Sequence, residues 1–177
     1  MNTILVASID HGVEAPSTTV SRITASTGVP LSTAVANGVS AMGESHAGAI
    51  EAAAKIFQEA VKKDRSASDI VEKARFKNER LPGYGHKIYD TDPRTQATLE
   101  ISEENGYKVD HIKIALEIEK ELEKAVGRKL ALNIDGITAA VISELGFTPE
   151  LGNGFFIISR VTGLVAHVFE EKTRENP

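Results

Sequence analysis

The chain has 177 residues, the size of one ordinary domain, and its 41% hydrophobic content is enough for a sizeable core. A formal net charge of −5 argues against a general nucleic-acid binder, which carries a basic patch. The lack of cysteine excludes disulfides, thiolate metal sites and a cysteine nucleophile.

The N-terminal Met1–Val6 lacks the basic flank and long apolar stretch of a signal peptide. No apolar run approaches the roughly 20 residues of a membrane span. The expectation is a cytoplasmic protein with no membrane partner. Ile4 to Ile9 is a short strand signal. Beyond it the pattern is helical. Pro16-Ser17 opens a segment that runs to about Thr27, and Gly28 and Pro30 close it. Leu31 to about Met42 is rich in small residues and ends at Gly43. The two segments suit close packing, including packing against a twofold mate.

A helix is expected from about His46 to Lys63, with Ile50, Ala53, Ala54, Phe57 and Val61 at helical spacing. Ser66 reads as the N-cap of the next, which lasts to about Lys77. Leu81-Pro82-Gly83-Tyr84-Gly85-His86 breaks the helical pattern. Asp92-Pro93 reads as N-cap and first position of a helix ended by Gly106. Ile112 to Val126 is strongly amphipathic, with Gly127 as C-cap. Leu132-Asn133-Ile134-Asp135-Gly136 leads into a helix ending near Leu145, and Thr148-Pro149 starts a short helical turn. The last helix, Gly154 to about Glu171, is apolar nearly all round, so burial is expected.

A histidine more often packs or faces solvent than catalyses. Four of the five here nevertheless sit at helix boundaries or beside glycines, where catalytic side chains are often displayed: His11, His46, His86 and His111. His167, inside the last apolar helix, reads as a satisfied core histidine. Two glycines before His86 would let backbone approach a ligand. Arg94 falls in the first turn of a helix, as a surface charge or as a holder of carboxylates. Asp135 fits a helix N-cap and also a base. Arg160 is a lone charge among Phe155, Phe156, Ile157, Ile158 and Val161, and arginine is seldom buried without an anion.

Gly83-Tyr84-Gly85-His86 with Asp92-Pro93-Arg94 resembles the active-site loop of the citrate synthase superfamily. Leu132-Asn133-Ile134-Asp135-Gly136 resembles its catalytic-aspartate segment, and Ile158-Ser159-Arg160-Val161-Thr162-Gly163-Leu164-Val165-Ala166-His167 its late arginine helix. Asp10-His11-Gly12 with Ser17-Thr18-Thr19 resembles the start of its dimer-forming helices. Four motifs in order over nearly the whole chain make the likeness specific. Asp10-His11-Gly12, Glu51-Ala52-Ala53-Ala54-Lys55 and Ala115–Lys120 look closer to citryl-CoA lyases and the lyase module of ATP-citrate lyase. His46 fits the full synthase triad.

The resemblance implies a mostly α, citrate synthase-like fold over 1–177, lacking part of the N-terminal large domain. Residues 45–130 would belong to a small domain, and 1–44 with 131–177 to the large, dimer-forming part. It implies an enzyme, a citryl-CoA lyase cleaving citryl-CoA to acetyl-CoA and oxaloacetate. The alternatives are a citrate synthase running the condensation, or a noncatalytic or split subunit that needs a partner chain. His46, His86 and Asp135 would be catalytic. His11, Arg94 and Arg160 would bind the substrate carboxylates. Leu81, Pro82, Gly83, Tyr84 and Gly85 would cradle coenzyme A. No metal and no permanently bound cofactor are expected, the coenzyme A thioester being a substrate. The expected assembly is a homodimer, with room for a second chain supplying the N-terminal part.

Overall fold

The computed structural model describes residues 1–86, 90–107 and 109–174. Among these are nine α-helices: α1 (Asn2–Ala7), α2 (Pro16–Ser26), α3 (Leu31–Ser40), α4 (Ala49–Lys62), α5 (Ala67–Phe76), α6 (Pro93–Glu104), α7 (Asp110–Val126), α8 (Ile134–Glu144) and α9 (Gly152–Arg174). A 3₁₀ turn, Pro149–Leu151, precedes α9. The described residues contain isolated bridges but no strand, so the mostly α expectation holds. They divide into two compact units, 1–48 with 153–177, and 49–152.

In the first unit α2 and α3 pack closely because their facing positions are small. Ser17, Thr18 and Ser21 are fully buried on α2, opposite Ala34, Val35 and Gly38 of α3. Ala25, Ala34 and Val35 form one core with Leu164 and Val168 of α9. The strand expected over Ile4–Ile9 is instead helix α1. Ile4 and Ser8 are the buried pair, a spacing of one helical turn rather than the alternation of a strand.

Helix α9 also departs from expectation, for it is not buried all round. Ser159, Arg160, Leu164 and Val168 face inward, while Ile158 is 62% and Phe169 61% exposed. By length and hydropathy alone Pro149–Arg174 could cross a membrane; one of its faces is buried within the protein.

In the second unit α8 is the central element. Every residue from Gly136 to Ser143 is buried. Ile50, Ala53, Ala54 and Phe57 of α4 and Ile112, Ala115 and Ile118 of α7 supply the matching apolar faces. The ends follow local chemistry. Ser66 accepts the Asp69 N–H at 3.1 Å, and Gly127 takes the left-handed conformation after α7. Glu144, at the end of α8, accepts the N–H groups of His111 and Ile112 at 2.6 and 3.0 Å, and so caps α7 from a neighbouring helix.

Gly38 tests the close packing. Alanine is worth up to about 1 kcal/mol over glycine inside a helix. A Cβ at position 38 would, however, lie 2.7 Å from the Ser17 carbonyl oxygen and overlap the Ser21 hydroxyl, forcing α2 and α3 apart. Gly38→Ala should therefore lose about 1–3 kcal/mol by denaturant unfolding, the usual cost of overpacking. A gain would contradict the contact.

Candidate active site

The sequence candidates fall into two groups, one in each unit. In the second unit the backbone around His86 is paired with the backbone leading into α8. Tyr84 and Leu132 form an antiparallel bridge. Gly85 N–H donates to the Ala131 carbonyl at 2.7 Å, and Asn133 N–H to the Gly83 carbonyl at 3.0 Å. The pairing is tight because two glycines meet. A Cβ on Gly83 would lie 2.6 Å from the Gly136 Cα, and Gly83 has φ +86°, a conformation glycine adopts without strain. The half-buried Tyr84 packs edge-on to Phe57 and sends its hydroxyl to the Ala115 carbonyl at 2.9 Å. Burial first, and then the charge of Glu119, push that phenol well above its usual pKa, so it stays a neutral anchor.

Asn133, whose role was not read from the sequence, joins the two segments. Its Oδ1 accepts the N–H groups of Asp135 and Gly136 at 3.0 and 3.1 Å, and its Nδ2 donates to the Gly85 carbonyl at 2.9 Å. The N-cap of α8 is therefore Asn133 and not Asp135. Asp135 lies in the first turn of α8, half-buried. Only the pattern of Asn two residues before Asp could have signalled this.

His86 and Arg94 are also brought together. Arg94 Nη2 lies 3.5 Å from His86 Nε2. Asp92 caps α6 as expected and does more. It is fully buried, and it accepts Arg94 N and Nε at Oδ1 (3.0 Å each) and Arg94 Nη2 (2.8 Å) and Ile134 N–H (3.2 Å) at Oδ2. Burial alone would raise its pKa; the hydrogen bonds and charge of Arg94, with the Ile134 N–H, outweigh it and hold the carboxyl below its usual range. Leu81 and Pro82 are half-buried just before this pairing. Leu81 also lines a groove of about 420 Å³ along α4 and α5. Arg65, Lys73 and Lys77 there face Glu59, Asp69 and Glu79, a balance that gives no net pull on an anion.

In the first unit His46 is not on a helix, since α4 begins only at Ala49. Gly43 and His46 exchange backbone hydrogen bonds at 2.8 and 2.9 Å, closing a turn that presents the imidazole. Its Nε2 lies 2.9 Å from Ser17 Oγ and accepts the Ser17 N–H at 3.4 Å. Ala15, the N-cap of α2, makes no side-chain cap, so the imidazole takes a donor of that helix's first turn. A nitrogen that accepts N–H is unprotonated, which leaves the ring hydrogen on Nδ1. Burial first, then the charges of Arg160 and His11, hold the pKa of His46 below its usual value.

Arg160 is buried, with Nε on the Ser8 carbonyl at 3.1 Å and its guanidinium 4.6 Å over the Phe156 ring. Phe156 in turn meets the His46 ring edge-on at 5.9 Å. His11 is exposed beside Asp10. His167 is half-buried and bonds the exposed Asp10 Oδ1 at 2.9 Å, so it is satisfied as expected but near the surface rather than in the core. His111 lies 3.2 Å from Glu144, with the structural cap of α7.

Residues 1–177, the whole chain, match the family described as citrate synthase, C-terminal domain. The chain belongs to the citrate synthase family. It is 46% identical to the structure of citryl-CoA lyase from Hydrogenobacter thermophilus, covering 99% of this chain and 69% of that one, with a TM-score of 0.96. It is 32% identical to Thermoplasma acidophilum citrate synthase, solved with carboxymethyl coenzyme A and oxaloacetate, over 99% of this chain and 48% of that one, with a TM-score of 0.80. Among curated relatives, ATP-citrate synthase beta chain protein 1 of Oryza sativa subsp. japonica is 28% identical over 95% of this chain and 30% of its own length. The chain thus spans about 30% of the length of such relatives. All three carry the names of enzymes that handle citrate or citryl-CoA.

The depressed pKa of His46 gives a pH prediction. The unfolded chain takes up this proton at the usual histidine value of about 6.5, the folded chain only at a lower pH. Acidification between the two should therefore cost stability. His46→Asn should flatten that part of the curve of urea midpoint against pH. An unchanged slope would contradict a neutral, enclosed ring.

Proposed function

We propose that this chain is the catalytic core of a citryl-CoA lyase. The observation that carries the reading is the hydrogen-bonded frame that sets His86, Arg94 and the Asp135-bearing turn of α8 together. The 46% identity to a citryl-CoA lyase over nearly the whole chain supports it. In the reaction His86 takes the proton of the citryl hydroxyl. The C–C bond breaks as that oxygen becomes the carbonyl of oxaloacetate. The bonding electrons pass to the acetyl-CoA fragment as an enolate. His46, with its hydrogen on Nδ1, hydrogen-bonds the thioester oxygen where the negative charge collects. A neutral ring donates to that oxygen without a full proton transfer. The enolate carbon then takes a proton from Asp135, which enters the step as the carboxylic acid and leaves it as the carboxylate. The proton taken up by His86 is released to solvent and Asp135 takes one back, which closes the cycle. Each acid or base contributes about 10²–10⁴-fold.

His11, Arg94 and Arg160 hold carboxylates, the arginines through charge-assisted bonds. The backbone from Leu81 to Gly85 cradles the coenzyme A. Each group also serves the reverse step, so the second reading is a citrate synthase, favoured by the likeness to the Thermoplasma enzyme and by the retention of His46. The chain works as a pair of copies in this reading. Its exposed apolar residues Ile23, Ile158 and Phe169 suit burial against a partner. A monomer by light scattering at assay concentration would oppose that assembly.

The decisive assays are oxaloacetate formation from citryl-CoA and free thiol release from acetyl-CoA with oxaloacetate. Cleavage of citryl-CoA without thiol release supports the lyase, and efficient thiol release supports the synthase. Asp135→Asn should lower either activity by at least about 10²-fold at nearly unchanged stability. Unchanged turnover refutes the base, and no turnover in either assay by the unmutated chain leaves the noncatalytic subunit.

A further inference from the structure

We propose that Asp92 is a positioning residue that ties the orientation of the Arg94 guanidinium to the docking of the first turn of α8, the turn that carries Asp135. The roles of Arg94 and Asp135 rest on the lyase reading; the geometry that joins them does not.

A helix cap needs one acceptor, and serine or asparagine serves as well as aspartate. A fully buried carboxylate is a costly way to supply it unless the charge and both oxygens are used. At Asp92 they are. Four donors converge on it, and only one of them, the Arg94 N–H, belongs to the cap. Two come from the guanidinium, Nε on Oδ1 and Nη2 on Oδ2. This two-point grip fixes the plane of the group and leaves its remaining N–H donors directed elsewhere. The same Nη2 lies 3.5 Å from His86 Nε2.

The fourth donor is the Ile134 N–H. The first turn of α8 has unsatisfied N–H groups like any helix start. Asn133 takes those of Asp135 and Gly136, and Asp92 takes that of Ile134. One buried carboxylate thus holds both the charge meant for a substrate carboxylate and the turn meant to present the base. The two cannot be loosened separately at this point.

The test is Asp92→Asn in the full chain, beside Thr95→Val as a control. Asparagine keeps the shape and the cap but sets an amide donor against both the Arg94 Nη2 and the Ile134 N–H. Thr95 Oγ1 donates to the Leu132 carbonyl at 3.0 Å, so its side chain joins the same segments through a bond that is separate from the Asp92 carboxylate. Three properties are read: KM and kcat for citryl-CoA, citrate affinity by calorimetry, and amide exchange at Ile134, Asp135 and Gly136. Asp92→Asn should raise KM and lower kcat by about tenfold or more each, weaken citrate by a similar factor and speed exchange at Ile134. Thr95→Val should lower the unfolding midpoint and leave KM and kcat within about twofold.

The proposal is overturned if Asp92→Asn leaves all three properties unchanged, for Asp92 is then only a cap. It is also overturned if Thr95→Val matches Asp92→Asn in all three, for the effect is then general loosening. If the unmutated chain turns over no substrate, the lyase reading fails, while citrate affinity and Ile134 exchange still decide the role of Asp92. Should Asp92→Asn not fold, Asp92→Glu, which keeps the charge but displaces it by one methylene, takes its place with the same outcomes.

Discussion

The second unit is organised by the contact of Gly83 with Gly136, where two backbones approach too closely for any side chain between them. The approach allows the Tyr84–Leu132 bridge and the hydrogen bonds of Gly85 and Asn133 on either side of it. It fixes where the Leu81–His86 segment lies against the start of α8. A Cβ at either glycine would meet backbone, which cannot swing aside as a side-chain end can. Here the need for glycine is one of space at both positions, and of positive φ at Gly83 alone.

Helix starts recur as the places where polar side chains are held. His46 takes a first-turn donor of α2 through Ser17, Asn133 takes two at α8, and Asp92 takes one at α6 and one at α8. The physical reason is common. A helix start offers N–H groups without partners and a partial positive charge, so it favours acceptors and disfavours protonated rings. At His46 this agrees with the lowered pKa, and at Asp92 with a carboxylate that stays charged despite full burial. Neither side chain could be replaced by an apolar group without leaving buried donors unsatisfied.

Much of this was legible in the sequence, and the misreadings have physical causes. Helix starts marked by Ser66 and Asp92-Pro93 fell where local chemistry put them, because a cap is decided by neighbours in the chain. Ile4–Ile9 falls mostly in helix α1 although its composition suits a strand, because so short an apolar run does not distinguish period two from one helical turn. His46 was placed on a helix because Gly43-Glu44-Ser45 does not reveal a turn closed by Gly43 and His46. For α9, composition told that the helix is apolar but not which face the chain itself covers; Ile158 and Phe169 remain outside. At the candidate site the charged and imidazole groups could be named from motifs. The full roles of Asn133, Asp92 and Ser17 could not, since each lies in a partner distant in sequence.

The residue types do not choose a reaction direction, and the chemistry explains why. A base that takes a hydroxyl proton during cleavage returns it during condensation, and a donor that stabilises an enolate does so from either side. In the proposed reading, cleavage and condensation therefore ask for the same His46, His86 and Asp135. What separates a synthase from a lyase is a further step, the hydrolysis of the citryl thioester, which draws condensation forward and makes it irreversible. A lyase must hold the same thioester and keep water from its carbonyl until the C–C bond has broken. Relatives named for both reactions can accordingly share a helical frame with this chain, at TM-scores of 0.96 and 0.80.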